Sequence, residues 1–181
     1  QRQMCIRDSS ICRLCSIKRK TMKLITEELL DRVTDQAKEN SRLRMNYNFH
    51  ESMEAAIHRM LNALEPGTYL PPHRHKNPDK EEVYLVLRGS LLAILFDDEG
   101  NVMEKVNLNP TQGRYGIEIP PCVWHTIIVL ESGTVIYEIK QGPFAPLTPE
   151  NLASWAPPVA DKEAARLFIE RMLEFYHSNI L

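Results

Sequence analysis

His73 and His75 are two residues apart, so on an extended strand their imidazoles leave the same face. Lys80-Glu81-Glu82 follows, and then the apolar, strand-like run Val83-Tyr84-Leu85-Val86-Leu87, closed by Arg88-Gly89. A His-x-His pair with a carboxylate on the next strand can present three metal ligands from one hairpin. The chain offers a fourth downstream, in Ile119-Pro120-Pro121-Cys122-Val123-Trp124-His125. Imidazole nitrogen with one carboxylate suits a divalent first-row ion: zinc, iron, nickel or manganese. The expected ligands are His73, His75, Glu82 and His125, with the remaining positions left for water or substrate. Glu81 is the rival carboxylate, but it points to the opposite side of the strand from Tyr84 and Val86. A longer loop before Glu82 leaves a three-histidine site as the alternative.

Other polar residues are placed to assist. Tyr84 is in phase with Glu82 and is a candidate for lining the pocket. Lys80 could meet an anionic substrate, although a surface lysine is the commoner case. Asn46, Asn48 and His50 share one face of an extended arm, which makes His50 a third catalytic candidate. Cys122 reads as a small residue in a tight turn rather than a ligand or nucleophile. His58 and His177 have no partner arrangement and read as structural or exposed.

The two segments carry a family resemblance. Gly67-x5-His73-x-His75-x6-Glu82-x6-Gly89 resembles the first cupin motif, and Gly113-x6-Pro120-x-Cys122-x2-His125 resembles the second. Three features depart from the pattern: an interval from His75 to Glu82 about two residues longer than usual, Cys122 in place of glycine, and Val129 in place of asparagine. Arg44-Met45-Asn46-Tyr47-Asn48-Phe49-His50, Phe96-Asp97-Asp98-Glu99-Gly100 and Glu138-Ile139-Lys140-Gln141-Gly142-Pro143-Phe144 are similar to the WbuC-type cupin-fold metalloproteins. The likeness runs from about Met22 to Pro157. It implies a cupin-like double-stranded β-helix, or jelly-roll barrel, and a bacterial setting in O-antigen and lipopolysaccharide metabolism. It names no established reaction.

The elements that must position these residues follow the chain. Thr26-Glu27-Glu28 caps a helix expected to reach about Asn40, with Leu29, Leu30, Val33 and Ala37 at helical spacing. Glu51–Leu64 is ambiguous: its composition favours helix, whereas the resemblance calls for a strand from about Ile57. Strands are expected over Glu82–Leu87, Ser90–Phe96, Asn101–Leu108, Ile117–Ile119, Trp124–Leu130 and Thr134–Lys140. Asp97-Asp98-Glu99-Gly100 and Glu131-Ser132-Gly133 supply the turns. The proline-rich stretch from Pro143 to Pro158 cannot pair throughout in a sheet and is expected to strap across the barrel. Asp161 caps a last helix, Lys162–His177, with Leu167, Phe168, Met172, Leu173 and Phe175 as its apolar stripe.

The first residues stand apart. Met4-Cys5-Ile6-Arg7-Asp8-Ser9 is the translation of ATG TGT ATA AGA GAC AG(T/C), a transposon end used in a common sequencing-library method. Residues 1–21 are therefore expected to be a non-native leader and Met22 the start, with the barrel over 22–158 and the last helix over 159–181. Removing residues 1–21 takes away six Lys/Arg and one Asp, so the formal net charge moves from −2 to −7. The basic leader is then no argument for nucleic acid or membrane binding. Cys5, Cys12 and Cys15 leave with it, and the lone Cys122 fits a reducing, cytoplasmic location rather than a disulfide framework. No run of about 18 apolar residues is present, so no transmembrane helix is expected.

Two functions from different classes fit these residues. One is a metal-dependent isomerase, epimerase or dioxygenase acting on a small polar molecule, with a sugar or nucleotide sugar as the suggested class. The other is a non-catalytic metal- or carbohydrate-binding, regulatory module. A homodimer is compatible with either.

Overall fold

The computed structural model describes residues 22–178, so the expected leader and its three cysteines lie outside the described residues. The order is helix α1 (Glu27–Glu39), strands β1 (Arg44–Asn48), β2 (Ile57–Leu64), β3 (Glu82–Arg88), β4 (Leu91–Phe96), β5 (Val102–Leu108), β6 (Gly116–Ile119), β7 (Trp124–Val129) and β8 (Thr134–Gln141), then helix α2 (Lys162–His177). Two antiparallel sheets result, in the orders β1-β2-β8-β3-β6 and β5-β4-β7. Strands adjacent in sequence repeatedly enter different sheets, which is the jelly-roll arrangement of a cupin-like barrel.

The strand assignment resolves the ambiguity at Glu51–Leu64. Residues 57–64 pair with β8 along their whole length, from Ile57 opposite Gln141 to Leu64 opposite Thr134. Two-sided burial overrides the helical propensity of Met60 and Leu61, since Leu61 packs under α1 while Leu64 enters the barrel.

Three apolar clusters hold the layers together. Between the sheets lie Leu64, Tyr84, Val86, Leu91, Ile127 and Ile136. Below α1, Leu29, Leu30, Val33 and Ala37 meet Leu61, Ala63 and Val135. Thr26 caps this helix by accepting a hydrogen bond from the Leu29 amide. Arg88 anchors the same helix to the barrel through Glu27, Asp31 and Thr34. On the other sheet, Phe168, Ile169 and Met172 of α2 meet Leu92, Ile94, Phe96 and Trp124. Burying side chains of this size is worth roughly 1.5–3 kcal/mol each.

The buried stripe of α2 is Ala165, Phe168, Ile169 and Met172, a spacing of three, four and seven residues. Leu167 and Phe175, expected in that stripe, are 51% and 40% exposed. The helix turns its smaller Ala165 toward the sheet, and Phe175 instead covers the Lys105 ammonium, 4.2 Å from its ring centroid.

Gly89 makes the β3–β4 turn possible. Its φ is +77°, and an added Cβ would lie 2.3 Å from Thr134 Oγ1. The Asp97–Gly100 turn closes as expected, with Asp97 accepting from the Glu99 and Asn101 amides. The proline-rich segment does lie across the barrel: the Ala153 amide donates to the Pro72 carbonyl, and the Arg74 amide to that of Asn151. No described helix is long and apolar enough to cross a membrane.

Candidate metal centre

His73 and His125 are brought together by backbone bonds in both directions. The His73 amide donates to His125 O at 3.0 Å, and the His125 amide to His73 O at 2.9 Å. This isolated antiparallel bridge sets His73 along the edge of β7 that faces away from β4. His73 is bridged on its other side to Leu152 of the proline-rich segment, so the strap fixes the histidine backbone from behind. His75 follows on the same face, as the two-residue spacing requires. Glu82 opens β3, where it stands opposite Ile119 on one side and Lys140 on the other.

The four side chains are buried, and one donor atom from each lies within 4.8 Å of every other. Glu82 is at the centre. Its Oε2 is 2.9 Å from His125 Nε2, and its Oε1 is 3.2 Å from His75 Nε2. Glu81 is exposed and turned away, with its amide bonded to the Gln141 side chain. The added residues between His75 and Glu82 therefore do not carry the carboxylate out of the group.

Tautomers follow from the surrounding carbonyls. Nδ1 of His73 is 3.0 Å from Pro71 O, and Nδ1 of His125 is 2.9 Å from Val123 O. A carbonyl only accepts, so the hydrogen sits on Nδ1 and Nε2 is left with its lone pair. A neutral His125 Nε2 facing a carboxylate oxygen would set two acceptors against each other. A cation between them removes that conflict. His75 Nε2 is likewise buried without a directed hydrogen bond, whereas Glu82 Oε1, also without one, is met by the Lys140 ammonium. The donor set therefore fits a divalent ion, with borderline nitrogen and one hard oxygen.

Burial, followed by the neighbouring His125, holds the His73 imidazole well below its ordinary range, so it stays neutral. Burial opposes charge on Glu82, but His125, His75 and Lys140 overcome it and keep the carboxyl well below the usual carboxylate range. Tyr84 is pushed well above the ordinary phenol range by burial and by the charges of Glu82 and Glu138. It remains a phenol and donates to Glu82 Oε2 at 3.2 Å.

Of the three assisting candidates, only Tyr84 meets the group. Lys80 is buried but donates to the Pro143 carbonyl at the start of the proline-rich segment. His50 faces His58, with stacked rings 4.2 Å apart, and its Nδ1 contacts the Arg59 backbone. His50 sits past the end of β1, where the arm has already turned away. Asn46 and Asn48 do keep the face of Asn62 and Met60 by strand register. Cys122 has φ +67°, the conformation that favours glycine, and is exposed with Sγ 3.4 Å from Asp79. It occupies a turn whose amide donates to His75 O, outside the ligand group.

The structure adds residues that the sequence reading passed over. Glu138 and Lys140 point into the barrel from β8, opposite Tyr84 and Glu82 respectively. Lys140 Nζ contacts Glu82 Oε1 and lies 3.9 Å from Glu138 Oε1. Glu138 accepts a 2.8 Å hydrogen bond from Asn62 Nδ2, and burial with the charge of Glu82 raises its carboxyl to about 7. The available signal was their phase with Ile136: two charges on the inward face of a strand otherwise apolar on both sides.

A barrel of two antiparallel sheets with this buried group at one end is a cupin-like architecture. The family model described as "Domain of unknown function (DUF6016)" matches residues 25–108, a span that includes His73, His75 and Glu82. Comparison with curated proteins gives no significant match. Among solved structures, KdgF from Halomonas sp. is similar at 15% identity and TM-score 0.43, over 54% of this chain and 79% of that one. A cupin superfamily protein from Desulfitobacterium hafniense DCB-2 is similar at 16% identity and TM-score 0.41, over 54% and 76%. A cupin 2 domain-containing protein from Halorhodospira halophila is similar at 20% identity and TM-score 0.42, over 72% and 79%.

Proposed function

We propose that the protein binds one divalent metal ion through His73, His75, Glu82 and His125 and acts as an enzyme on a small polar molecule. One observation carries this reading: four buried donors within 4.8 Å of each other, three imidazoles and one carboxylate. Without an ion, His75 Nε2 is buried with no hydrogen-bond partner and His125 Nε2 faces a carboxylate oxygen. The bound ion would supply Lewis acidity toward a substrate oxygen.

The protein's own residues then divide the remaining work. Tyr84 orients Glu82 through its hydroxyl. Glu138, neutral or ionised near pH 7, can give or take a proton at its carboxyl oxygen. Asn62 fixes that carboxyl by donating to Oε2, while its own Oδ1 is buried without a partner and can accept from a ligand. A proton-carrying acid inside the barrel favours catalysis over the alternative of a binding or regulatory module. The sugar or nucleotide-sugar substrate, the O-antigen setting and a cytoplasmic location rest on the resemblance to WbuC-type proteins and on the single cysteine of residues 22–178.

Elemental analysis of protein purified without a chelating tag tests the metal. A panel of sugars and nucleotide sugars, read as thermal shifts of the metal-loaded protein, tests the ligand class. Less than one-tenth molar equivalent of any divalent metal after reconstitution, an order-of-magnitude threshold for a site that binds its ion, would overturn the reading.

A further inference from the structure

We infer that Lys140 makes this centre select a ligand carrying a small anionic group, a carboxylate or a phosphoryl group, and couples that ligand to metal affinity. The inference rests on the metal reading of His73, His75, Glu82 and His125.

Lys140 stands opposite Glu82 in the β3–β8 register, and its ammonium touches Glu82 Oε1. A metal ligated by Glu82 would share that oxygen with a fixed positive charge. The lysine has one other carboxylate nearby, Glu138, at 3.9 Å. The charges around it do not balance once a divalent ion is added. Three neutral imidazoles contribute nothing, Glu82 and Glu138 supply at most two negative charges, and Lys140 with the ion supplies three positive ones. Lys80 adds a further cation whose field reaches both Lys140 and Glu82. A surplus of positive charge beside residues as buried as Glu82, at 1% side-chain exposure, is costly.

An entering anion corrects the imbalance, and Lys140 is placed to receive it. Its side chain is 22% exposed whereas Glu82 and His125 are at 1% and 2%, so it is the member of the row that a solute can reach. The anion would take the ammonium and free Glu82 Oε1 for the metal. Metal and anion should therefore each tighten the other. Lys80, which the sequence offered only as a candidate for meeting an anion, is held by Pro143, and Lys140 takes that role.

Zinc affinity, measured by competition with a chromophoric chelator, tests this on the full chain. Wild type, Lys140→Met and Lys140→Arg are compared without additive, with acetate and with methyl phosphate, and circular dichroism verifies that each is folded. Without anion, Lys140→Met should bind zinc about tenfold tighter than wild type, within the usual range of coupling between sites. Acetate or methyl phosphate should tighten zinc binding severalfold in wild type and Lys140→Arg and have no effect in Lys140→Met. Whichever anion acts identifies the group. Unchanged zinc affinity in folded Lys140→Met, no effect of either anion on wild type, or an anion effect that survives in Lys140→Met overturns the inference and leaves the metal site standing. Absence of zinc binding in every variant overturns the metal reading and this inference together.

Discussion

Glu82 Oε2 lies 2.9 Å from His125 Nε2, although 43 residues separate them in the chain. Both side chains are almost fully buried, so the contact forms only when β3 and β7 close opposite walls of the barrel. Glu82 also meets His75, Tyr84 and Lys140, which makes it the hub of the buried group.

Replacing His75 or His125 by alanine should remove most bound metal, and Glu82→Ala should remove as much. Tyr84→Phe should retain the metal with an affinity lower by about tenfold, as expected when a group that orients a ligand is lost. Elemental analysis and chelator competition on the four variants give the comparison. A Glu82→Ala protein with full metal content would leave a three-histidine site.

Glu138 should make stability depend on pH. Its folded value is raised to about 7 from an ordinary 4.5, so folding favours the protonated form. The associated stability is fully present below pH 4.5 and is lost as pH rises through 7. The total change is on the order of 3 kcal/mol at about 1.4 kcal/mol per pKa unit. Glu138→Gln, which mimics the neutral acid, should be less sensitive across this window and more stable than wild type at pH 8. Urea melts at pH 5 and pH 8 decide the matter, and an equal drop in both proteins would place the titration elsewhere.

Cys122 holds a left-handed conformation that costs a residue with a side chain roughly 1–2 kcal/mol. Cys122→Gly should therefore raise stability by about 1 kcal/mol, within that cost, and leave metal content unchanged. Thermal melts and metal analysis of the one variant address both points. A fall in metal content would make the thiol part of the site.

His50→Ala should lower stability by about 1–3 kcal/mol, because it removes the Nδ1 acceptor of the Arg59 amide and unstacks His58. Metal and ligand binding should be unaffected, since the His50 ring faces His58 and not the ligand group. A clear loss of metal affinity without loss of stability would return His50 to the site.

The sequence by itself determined the helix caps and the types of the candidate donors. Thr26 and Asp161 mark their helices because a side-chain oxygen before a helical run satisfies a free amide, a purely local effect. His73 and His75 must share a face because strand period is two. The cupin-like spacing was enough to bring His125 to them as an expectation.

Tertiary structure alone decided what the remaining polar residues do. Lys80 and Lys140 are both lysines near the ends of strand segments, and nothing local separates them. The strap places a carbonyl over Lys80, while the β3–β8 register places Glu82 opposite Lys140. His50 could have faced the cavity until the chain turned after β1 and set it against His58. Glu138 becomes an acid of raised pKa only because the closed barrel removes it from water. The candidate donors are written in spacing, a short-range property, whereas charge partners and burial depend on which distant strands meet, which only the closed barrel fixes.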